Sequence, residues 1–364
     1  MARDVLSAAP SRSVRLSEAG RARLALILLV LSAGLVVSVL AGIALGPAVV
    51  PLGDVVRYLL AALTGGGIGA DEVTGYSIVW NVRAPRVLLA AVVGAGLSVV
   101  GVAIQALVRN ALADPFVLGV SSGASVGATA VVVFGLFASL GVYALSVAAF
   151  LGALGATALV YLAARGPLGM TPLRLVLIGV ALAYGFQALM SVLVFLSPNG
   201  QAARTVLFWL LGSLGSATWQ SLPPVTVGVL VTIVLLMRHA RALDVLSLGD
   251  ETAASLGTDA AAVRRGLFLL TAMATGLIVA VSGAIAFVGL VLPHMVRMVV
   301  GSSHRRVLAV APVAGAVFMV WVDLLARTLF APEELPLGVL TALVGVPVFV
   351  VLIRRRGYLF GGGK

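Results

Sequence analysis

The chain has 364 residues, of which 61% are hydrophobic and only 10% are charged. Because soluble domains carry about 25% charged residues, this composition excludes an ordinary soluble protein and indicates a polytopic membrane protein. The net charge of +11 comes from short basic clusters between apolar runs, which argues against a nucleic-acid-binding face. The chain has no cysteine, so it offers neither a disulfide framework nor thiol chemistry.

The first apolar run follows a basic N-terminal stretch and continues to about Leu45. A signal peptide has an apolar segment of only about 7–15 residues, so this longer run indicates a retained span. With about 20 apolar residues needed per crossing, the sequence predicts ten spans, at 24–45, 87–108, 116–137, 142–164, 173–196, 222–237, 266–283, 284–300, 307–330 and 336–353. We expect an all-α membrane protein with a cytoplasmic tail over 1–22, a single ten-helix domain over 23–356 and a cytoplasmic tail over 357–364.

The run 266–300 is long enough for either one helix or two. Helices break at Pro and at Gly/Ser pairs, and Ser282-Gly283 and Pro293 interrupt this run. Charge also favours two helices, because ten spans with an internal N-terminus leave five of the 24 Arg and Lys residues outside: Arg57, Arg83, Arg86, Arg204 and Arg327. The sequence therefore predicts a multi-pass protein of the bacterial cytoplasmic (inner) membrane with both termini in the cytoplasm.

The segment VRAPRV at 82–87 places Arg83 and Arg86 on the outer side, at the expected N-terminus of the second span. Pro85 suits a first helical turn, and a spacing of three puts both guanidinium groups on one face of a helix. One interpretation is that the pair contacts lipid headgroups. The other is that it docks an acidic partner outside the membrane, where exposed ion pairs would set register and steering more than affinity.

The sequence offers no energy source of its own. Its only lysine is Lys364, so it contains no G-x-x-x-x-G-K-[ST] loop for ATP phosphates. An ion-coupled carrier usually keeps carboxylates inside its spans, yet only Asp323 lies clearly inside a predicted span, and Arg327 stands four residues later, placed to neutralise it. We expect a transporter that takes its energy from a partner; an ion-gradient-driven secondary transporter is the alternative.

The longest polar interruption in the second half, residues 241–265, falls on the cytoplasmic side. It predicts two short helices separated by Gly249 and closed by Gly257. A ridge of leucines beside acidic residues would suit insertion into a groove on a partner; the ridge consists of Leu246, Leu248 and Leu256, and the acids are Asp250, Glu251 and Asp259. The alternative is an ordinary interfacial loop.

Two local patterns resemble enzyme sites. The run GVSSG at 119–123 matches G-x-S-x-G, with Ser121 as nucleophile and His294 as its base, but the hydrolase elbow requires a strand–turn–helix context. This run instead lies in an apolar segment rich in small residues, which suits close helix packing. His239, His294 and His304 lack metal-ligand spacing. We therefore expect neither catalytic residues nor a metal site.

The run RAPRVLLAAVVGAGLSVVGVAIQALVRNALADPFVLGVSSGASVGA at 83–128 resembles the signature of the permease subunits of type II ABC importers for iron-siderophores, haem and vitamin B12. Four further segments resemble the same family in the same order: FWLLGSLGSATW (208–219), SLGDETAASLG (247–257), SGAIAFVGLVLPHMVRM (282–298) and ELPLGVLTALVGVPVFVVLIRR (334–355). The resemblance covers nearly everything after about residue 50.

The resemblance implies the type II ABC importer permease fold and a set of partners. Such permeases have ten helices, pair into a dimer around a central pathway and carry two ABC ATPase subunits in the cytoplasm, which bind the ATP and Mg²⁺; this chain would bind no cofactor and be no enzyme. An extracytoplasmic binding protein delivers the substrate, and its glutamates meet arginines that match Arg83, Arg86 and Arg327. The substrate implied first is a ferric siderophore, with haem or cobalamin as alternatives, moved by alternating access.

The resemblance also assigns residues inside the bundle and on its cytoplasmic side. The residues implied to couple to the ATPase are Leu246, Leu248, Gly249, Asp250, Glu251, Leu256 and Gly257. The residues implied to close the pathway at its cytoplasmic end are Asn110, Leu112, Thr171, Pro172 and Leu173, with Ala111 where the family usually has proline. The pathway wall is expected to include Gly179, Ala183 and Gln187.

Overall fold

The computed structural model describes residues 12–166, 170–197 and 200–355, and all regular structure in these ranges is helical. The α-helices are, in chain order, α1 (Arg12–Ala44), α2 (Leu52–Thr64), α3 (Val73–Ser77), α4 (Ala84–Val108), α5 (Val120–Phe134), α6 (Ala144–Ala164), α7 (Pro172–Phe195), α8 (Gly200–Leu210), α9 (Leu222–Arg238), α10 (Ala240–Ser247), α11 (Asp250–Ser255), α12 (Ala260–Ser282), α13 (Val288–Val300), α14 (His304–Thr328) and α15 (Leu337–Arg355). A π-helical turn (Ile78–Arg83) joins α3 to α4, and 3₁₀ turns (Pro115–Leu118 and Ala138–Tyr143) precede α5 and α6.

Ten apolar elements build the bundle. Within the described ranges, six helical stretches are long and apolar enough to cross a membrane: Gly20–Ala44, Val73–Val108, Ala138–Ala164, Pro172–Phe195, Ala260–Ser282 and His304–Thr328. Together α9 and α10 form a seventh, bent by 62°. Three shorter apolar helices complete the set: Val120–Phe134, Val288–Val300 and Leu337–Val351. These elements follow the ten predicted spans in order, which confirms the all-α membrane fold.

The ambiguous run 266–300 forms two helices, as charge predicted. The break falls at Gly283, where φ is 65° and where a Cβ would overlap the carbonyl oxygen of Trp209. Only glycine combines a positive φ with such a close backbone approach at little cost. Pro293, expected to help break the run, instead lies inside α13.

The VRAPRV segment differs from its prediction. Arg83 and Arg86 do not begin a helix, because α3 and the π-helical turn precede α4 without interruption, so that Val73–Val108 is one helical stretch of 36 residues. Pro85 does occupy the first turn of α4. Pro85 cannot donate a backbone hydrogen bond. The π turn just before it changes the local pattern of helical hydrogen bonds at this point.

Two helices were not predicted, because both are shorter than a membrane crossing. Helix α2 buries only Val55 and Tyr58, and α8 buries only Ala202 and Val206, so each packs one narrow face on the bundle. At the N-terminus, α1 begins at Arg12 and so includes residues 12–22 of the predicted tail. The rest of the predicted tails, 1–11 and 357–364, lies outside the described residues.

Helix α4 is the most enclosed long helix, and glycines permit its burial. A Cβ at Gly94 would overlap the carbonyl oxygen of Gly315 in α14, and a Cβ at Gly101 would overlap that of Gly289 in α13. Small residues at such crossings let helix backbones approach closely, which is the main source of packing between helices in lipid. The core of the bundle therefore forms around α4.

We predict that Gly94→Val strongly destabilises the protein, because the added side chain must push α14 away from α4. Overpacking costs about 1–3 kcal/mol in well-packed cores, and here the obstacle is backbone, which cannot rotate aside. The matched control is Gly155→Val in α6, where a Cβ meets no atom within 4 Å. The measurement is the midpoint of thermal unfolding in detergent; equal midpoints for the two variants would contradict this packing.

Candidate functional site

Near the start of α4, four charged side chains form an ion cluster that we define as Arg86, Asp323, Arg327 and Glu334. The Nε of Arg86 lies 2.8 Å from Oδ1 of Asp323, and its two Nη atoms donate to the two carboxylate oxygens of Glu334 at 2.8 and 2.9 Å. The Nε of Arg327 lies 3.1 Å from Oδ2 of Asp323. The cluster thus joins α4, α14 and the segment entering α15. The pair of Asp323 with Arg327 was predicted, but its extension to Arg86 was not.

Arg83 and Arg327 also hold the end of α1. Arg83 donates to the carbonyl oxygens of Ile43 and Ala44 at 3.2 and 2.9 Å and also contacts that of Ala48. Arg327 donates to the carbonyl oxygen of Gly42 at 2.8 Å. The last carbonyls of a helix lack partners within the helix and attract cations. Two of the predicted docking arginines therefore cap α1.

These contacts leave the three arginines little exposed to a partner outside the chain. Arg83, Arg86 and Arg327 are 3%, 6% and 4% exposed, and each is engaged inside the chain. Within the ion cluster, Glu334 is the group that reaches the surface, with 44% of its side chain exposed. Sequence reasoning missed Glu334, although it opens the ELPLG motif, because 248 positions separate it from Arg86. The docking role of the three arginines stays a prediction.

We predict that Asp323→Asn lowers stability, because two buried guanidinium groups lose their shared carboxylate. Removing one partner of a buried ion pair costs about 3–5 kcal/mol. Asp71→Asn, which changes an exposed acid, is the control. The midpoint of thermal unfolding in detergent should fall for Asp323→Asn and stay unchanged for Asp71→Asn. An unchanged midpoint for both would show that the cluster adds no stability.

The opposite end of α4 carries the first predicted gate segment. Arg109 ends the helix in the left-handed region with φ 54°, an uncommon conformation for a residue other than glycine. The side-chain oxygen of Asn110 then accepts a hydrogen bond from the backbone N–H of Leu112 at 2.9 Å. This turn fixes the chain direction even though Ala111 replaces the expected proline, and it leaves Asn110 exposed and Leu112 half-buried.

Asp114, which sequence reasoning did not single out, secures the segment after this turn. Its Oδ1 accepts a hydrogen bond from the N–H of Phe116 at 2.9 Å, and its carboxylate also accepts one from the N–H of Phe287, immediately before α13. Burial raises the pKa of Asp114 to about 6, against the opposing effect of these hydrogen bonds. Asp114 therefore connects the predicted gate segment to the start of α13.

The second predicted gate segment begins α7. Thr171 is the N-cap, and its hydroxyl accepts a hydrogen bond from the N–H of Arg174 at 3.4 Å. Pro172 occupies the first helical position, where its missing N–H costs nothing. Leu173 is 68% exposed. A side chain this apolar and this exposed is available for contact with another molecule or with lipid.

The loop over 241–265, which the sequence places in the cytoplasm, contains the two short helices that the sequence predicted, α10 and α11. Gly249 separates them with φ 109°, and Gly257 follows α11 with φ 75°. Leu248 and Leu256 are 63% and 59% exposed, whereas Leu246 is fully buried in the core. Of the three leucines expected in the ridge, only Leu248 and Leu256 are exposed, because α10 turns the side chain of Leu246 toward the core. Asp250 pairs with the buried Arg264 at 2.6 Å.

The predicted pathway residues on α7 fall into two groups. Gly179 and Ala183 approach the backbone of Gly119, so they serve the packing of α7 on the start of α5. Gln187 instead lines a cavity of about 220 Å³ together with Ser121, Ser122 and Ser125 of α5. The GVSSG run enters α5 from a 3₁₀ turn, not from a strand, so the hydrolase elbow is not formed.

Comparisons with known proteins identify the family. The FecCD transport family matches residues 34–355. The hemin transport system permease protein HmuU of Yersinia pestis is 43% identical over 183 residues, which is 50% of this chain and 54% of HmuU. The vitamin B12 import system permease protein BtuC of Vibrio vulnificus is 40% identical over 182 residues, again 50% and 54%. The chain therefore spans about half the length of these curated relatives.

Two further matches extend over most of the chain. The uncharacterized ABC transporter permease protein YvrB of Bacillus subtilis is 38% identical over 324 residues, 88% of this chain and 91% of YvrB. A solved structure, described as an inward-facing conformation of a protein assigned to the metal-chelate type of ABC transporter, superposes with a TM-score of 0.79 at 33% identity, over 91% of this chain and 99% of that one. The chain belongs to the FecCD transport family.

Proposed function

We propose that the chain is the membrane-spanning permease subunit of an ATP-driven importer. The observation that carries this proposal is the exposed pair Leu248 and Leu256, which stand on either side of the six-residue helix α11, next to Gly249 and Gly257. Apolar side chains presented by a short helix suit insertion into a groove on another protein. Family membership supports the same reading, because the relatives are permeases of import systems for hemin and vitamin B12.

The orientation we propose places the Arg109 end of α4 in the cytoplasm and the Arg86 end outside. Basic residues support it, since Arg238, Arg241, Arg265, Arg305 and Arg306 gather at the ends of helices that meet the Arg109 end. Cytoplasmic loops carry such an excess of Arg and Lys. Two ATPase subunits would then bind the coupling helices α10 and α11, and a second permease subunit would complete the central pathway.

We predict that the tagged chain, extracted gently from its native membranes, brings down a Walker-A ATPase in a two-plus-two complex. The double variant Leu248→Asp and Leu256→Asp should lose the ATPase, because charges cannot enter an apolar groove. Leu63→Asp, a similarly exposed leucine on α2 toward the Arg86 end, should retain it. The measurement is subunit stoichiometry by mass spectrometry.

Two outcomes would count against this proposal. A wild-type chain that brings down no ATPase, even after crosslinking, would overturn the importer assignment. A double variant that keeps the ATPase would show that the partner binds elsewhere, because only Leu248 and Leu256 were changed.

Docking of an acidic extracytoplasmic binding protein at the Arg86 end is part of the proposal. Arg83, Arg86 and Arg327 supply three positive charges there, and Asp323 and Glu334 supply two negative ones. Glu334 is the exposed acid of the cluster and occupies both Nη atoms of Arg86. A carboxylate of the partner would reach Arg86 by displacing Glu334, so Glu334 acts as an internal competitor for the docking site.

We predict that Glu334→Gln tightens association with the binding protein, because a neutral amide competes less well than a carboxylate for a guanidinium group. The expected gain is severalfold in Kd at low salt, shrinking as salt screens the charges. Glu333→Gln removes the same charge from the exposed neighbouring position and should give less than half of that gain. Binding is measured by surface plasmon resonance on the detergent-solubilised complex, and equal effects of the two variants would refute direct competition.

For transport, we propose that Asn110, Leu112 and Thr171–Leu173 close the cytoplasmic end of the pathway, and that Gln187 faces it. The geometry around Asn110 and Thr171 supports this assignment, since each starts a rigid turn at the same end of the bundle. The substrate we propose is a large iron chelate, a ferric siderophore first and haem or cobalamin as alternatives. The names of the relatives, which include an iron(3+)-hydroxamate system and the hemin and vitamin B12 systems, support this class.

A further inference from the structure

We propose that Arg264 is a positioning residue that connects the coupling helix α11 to the second gate segment, and that the ion pair of Asp250 with Arg109 adds a weaker link to the first. Arg264 would transmit displacement of α11 by a partner ATPase to the residues that close the pathway. The inference rests on the proposed function and adds to it the physical link between the two sites. It arises from four groups that converge at the Arg109 end of the bundle: Arg264, Asp250, Arg109 and the carbonyl of Met170.

The first connection runs from α11 to the start of α7. Arg264 lies in the second turn of α12 and is 2% exposed. Its Nη2 donates to Oδ1 of Asp250, the first residue of α11, at 2.6 Å. Its Nη1 donates to the carbonyl oxygen of Met170 at 2.9 Å, one residue before Thr171. A single planar guanidinium group thus contacts the coupling helix on one side and the second gate segment on the other.

The second connection runs from α11 to the end of α4. The Nη1 of Arg109 lies 3.9 Å from the same Oδ1 of Asp250. It also lies over Gly249, where a Cβ would come within 3.4 Å of that nitrogen. Arg109 directly precedes Asn110, which begins the first gate segment. Asp250 therefore forms an ion pair with an arginine on each side, hydrogen-bonded to Arg264 and more distant from Arg109.

The chain geometry lets α11 move as a unit while this link resists stretching. Glycines with positive φ stand on both sides of α11, at Gly249 and Gly257, and such positions absorb large changes in backbone angles. In contrast, a charge-assisted hydrogen bond is short and strong. The buried guanidinium of Arg264 also cannot give up Asp250 without remaining as an uncompensated charge. Displacement of α11 would therefore carry Met170 with it through Arg264.

The alternative is that Arg264, Asp250 and Arg109 only stabilise the folded loop. The two roles predict different effects of a substitution on stability, ATPase binding and gate motion. A purely structural pair would affect stability and ATPase binding together with gate motion. A positioning role predicts that gate motion is lost while stability and ATPase binding remain. The exposed Leu248 and Leu256, which would contact the ATPase, are not among these charged residues. The natural absence of cysteine allows spin labels to be placed at chosen sites without removing native thiols.

The test compares Arg264→Gln with the matched control Arg265→Gln, which changes the exposed neighbouring arginine. Both are made in the full complex with its ATPase, with spin labels on cysteines introduced at Leu112 and Leu173. Electron–electron double resonance measures the label distances without nucleotide and with ATP plus vanadate. For Arg264→Gln we expect the ATPase to co-purify at wild-type stoichiometry and the nucleotide-dependent distance change to fall to less than half. Arg265→Gln should keep the wild-type change.

Retention of the full distance change in Arg264→Gln would overturn the inference, and so would loss of ATPase binding in that variant. If Arg264→Gln does not fold, Asp250→Asn, at the partly exposed end of the same ion pair, removes the carboxylate that Arg264 contacts. An undiminished distance change in Asp250→Asn would then overturn the inference, and a halved one would support it. Failure of the proposed function is distinguishable, because the wild-type complex itself would then contain no ATPase.

Discussion

Close backbone contact of α4 with α13 and α14 is the constraint on which the rest of the structure depends. At Gly94 and Gly101 the neighbouring carbonyl oxygens occupy the space of a side chain, so α4 can lie at the centre of the bundle. In lipid, where apolar burial contributes little between helices, such contact supplies the packing energy. Because α4 is held along its length, the charged groups at its two ends keep fixed positions: Arg86 in the ion cluster and Arg109 beside α11.

The charged residues at the two ends follow one physical logic. An arginine in an apolar bundle requires a carboxylate or several carbonyl oxygens, and both solutions occur. Arg83 uses the terminal carbonyls of α1, whereas Arg86 and Arg264 use carboxylates. At each end one acid remains partly exposed, Glu334 at one end and Asp250 at the other. Under the proposed docking and coupling functions, these two acids are where an external partner would act on the interior charges.

The sequence predicted the apolar elements and the two short helices around Gly249, because hydropathy and glycine placement are local signals. It did not predict α2 or α8, since neither is long enough to cross the membrane, or the continuation of α4 through a π turn. Leu246 was expected on the surface and lies in the core, because composition alone does not fix which face of α10 turns inward. The contact of Arg86 with Glu334 joins residues 248 positions apart, which a single sequence cannot reveal.

We propose that this chain takes its energy from ATP hydrolysis in a partner subunit. The most direct test is uptake into proteoliposomes that contain the chain, its co-purified ATPase and the binding protein, with a radioiron-labelled ferric hydroxamate as probe and haem and cobalamin in parallel. We expect uptake to require ATP on the ATPase side, to stop when the Walker-A lysine of the partner is replaced, and to persist when ionophores collapse the proton and sodium gradients. Uptake that ionophores abolish and that the inactivated ATPase leaves unchanged would contradict it.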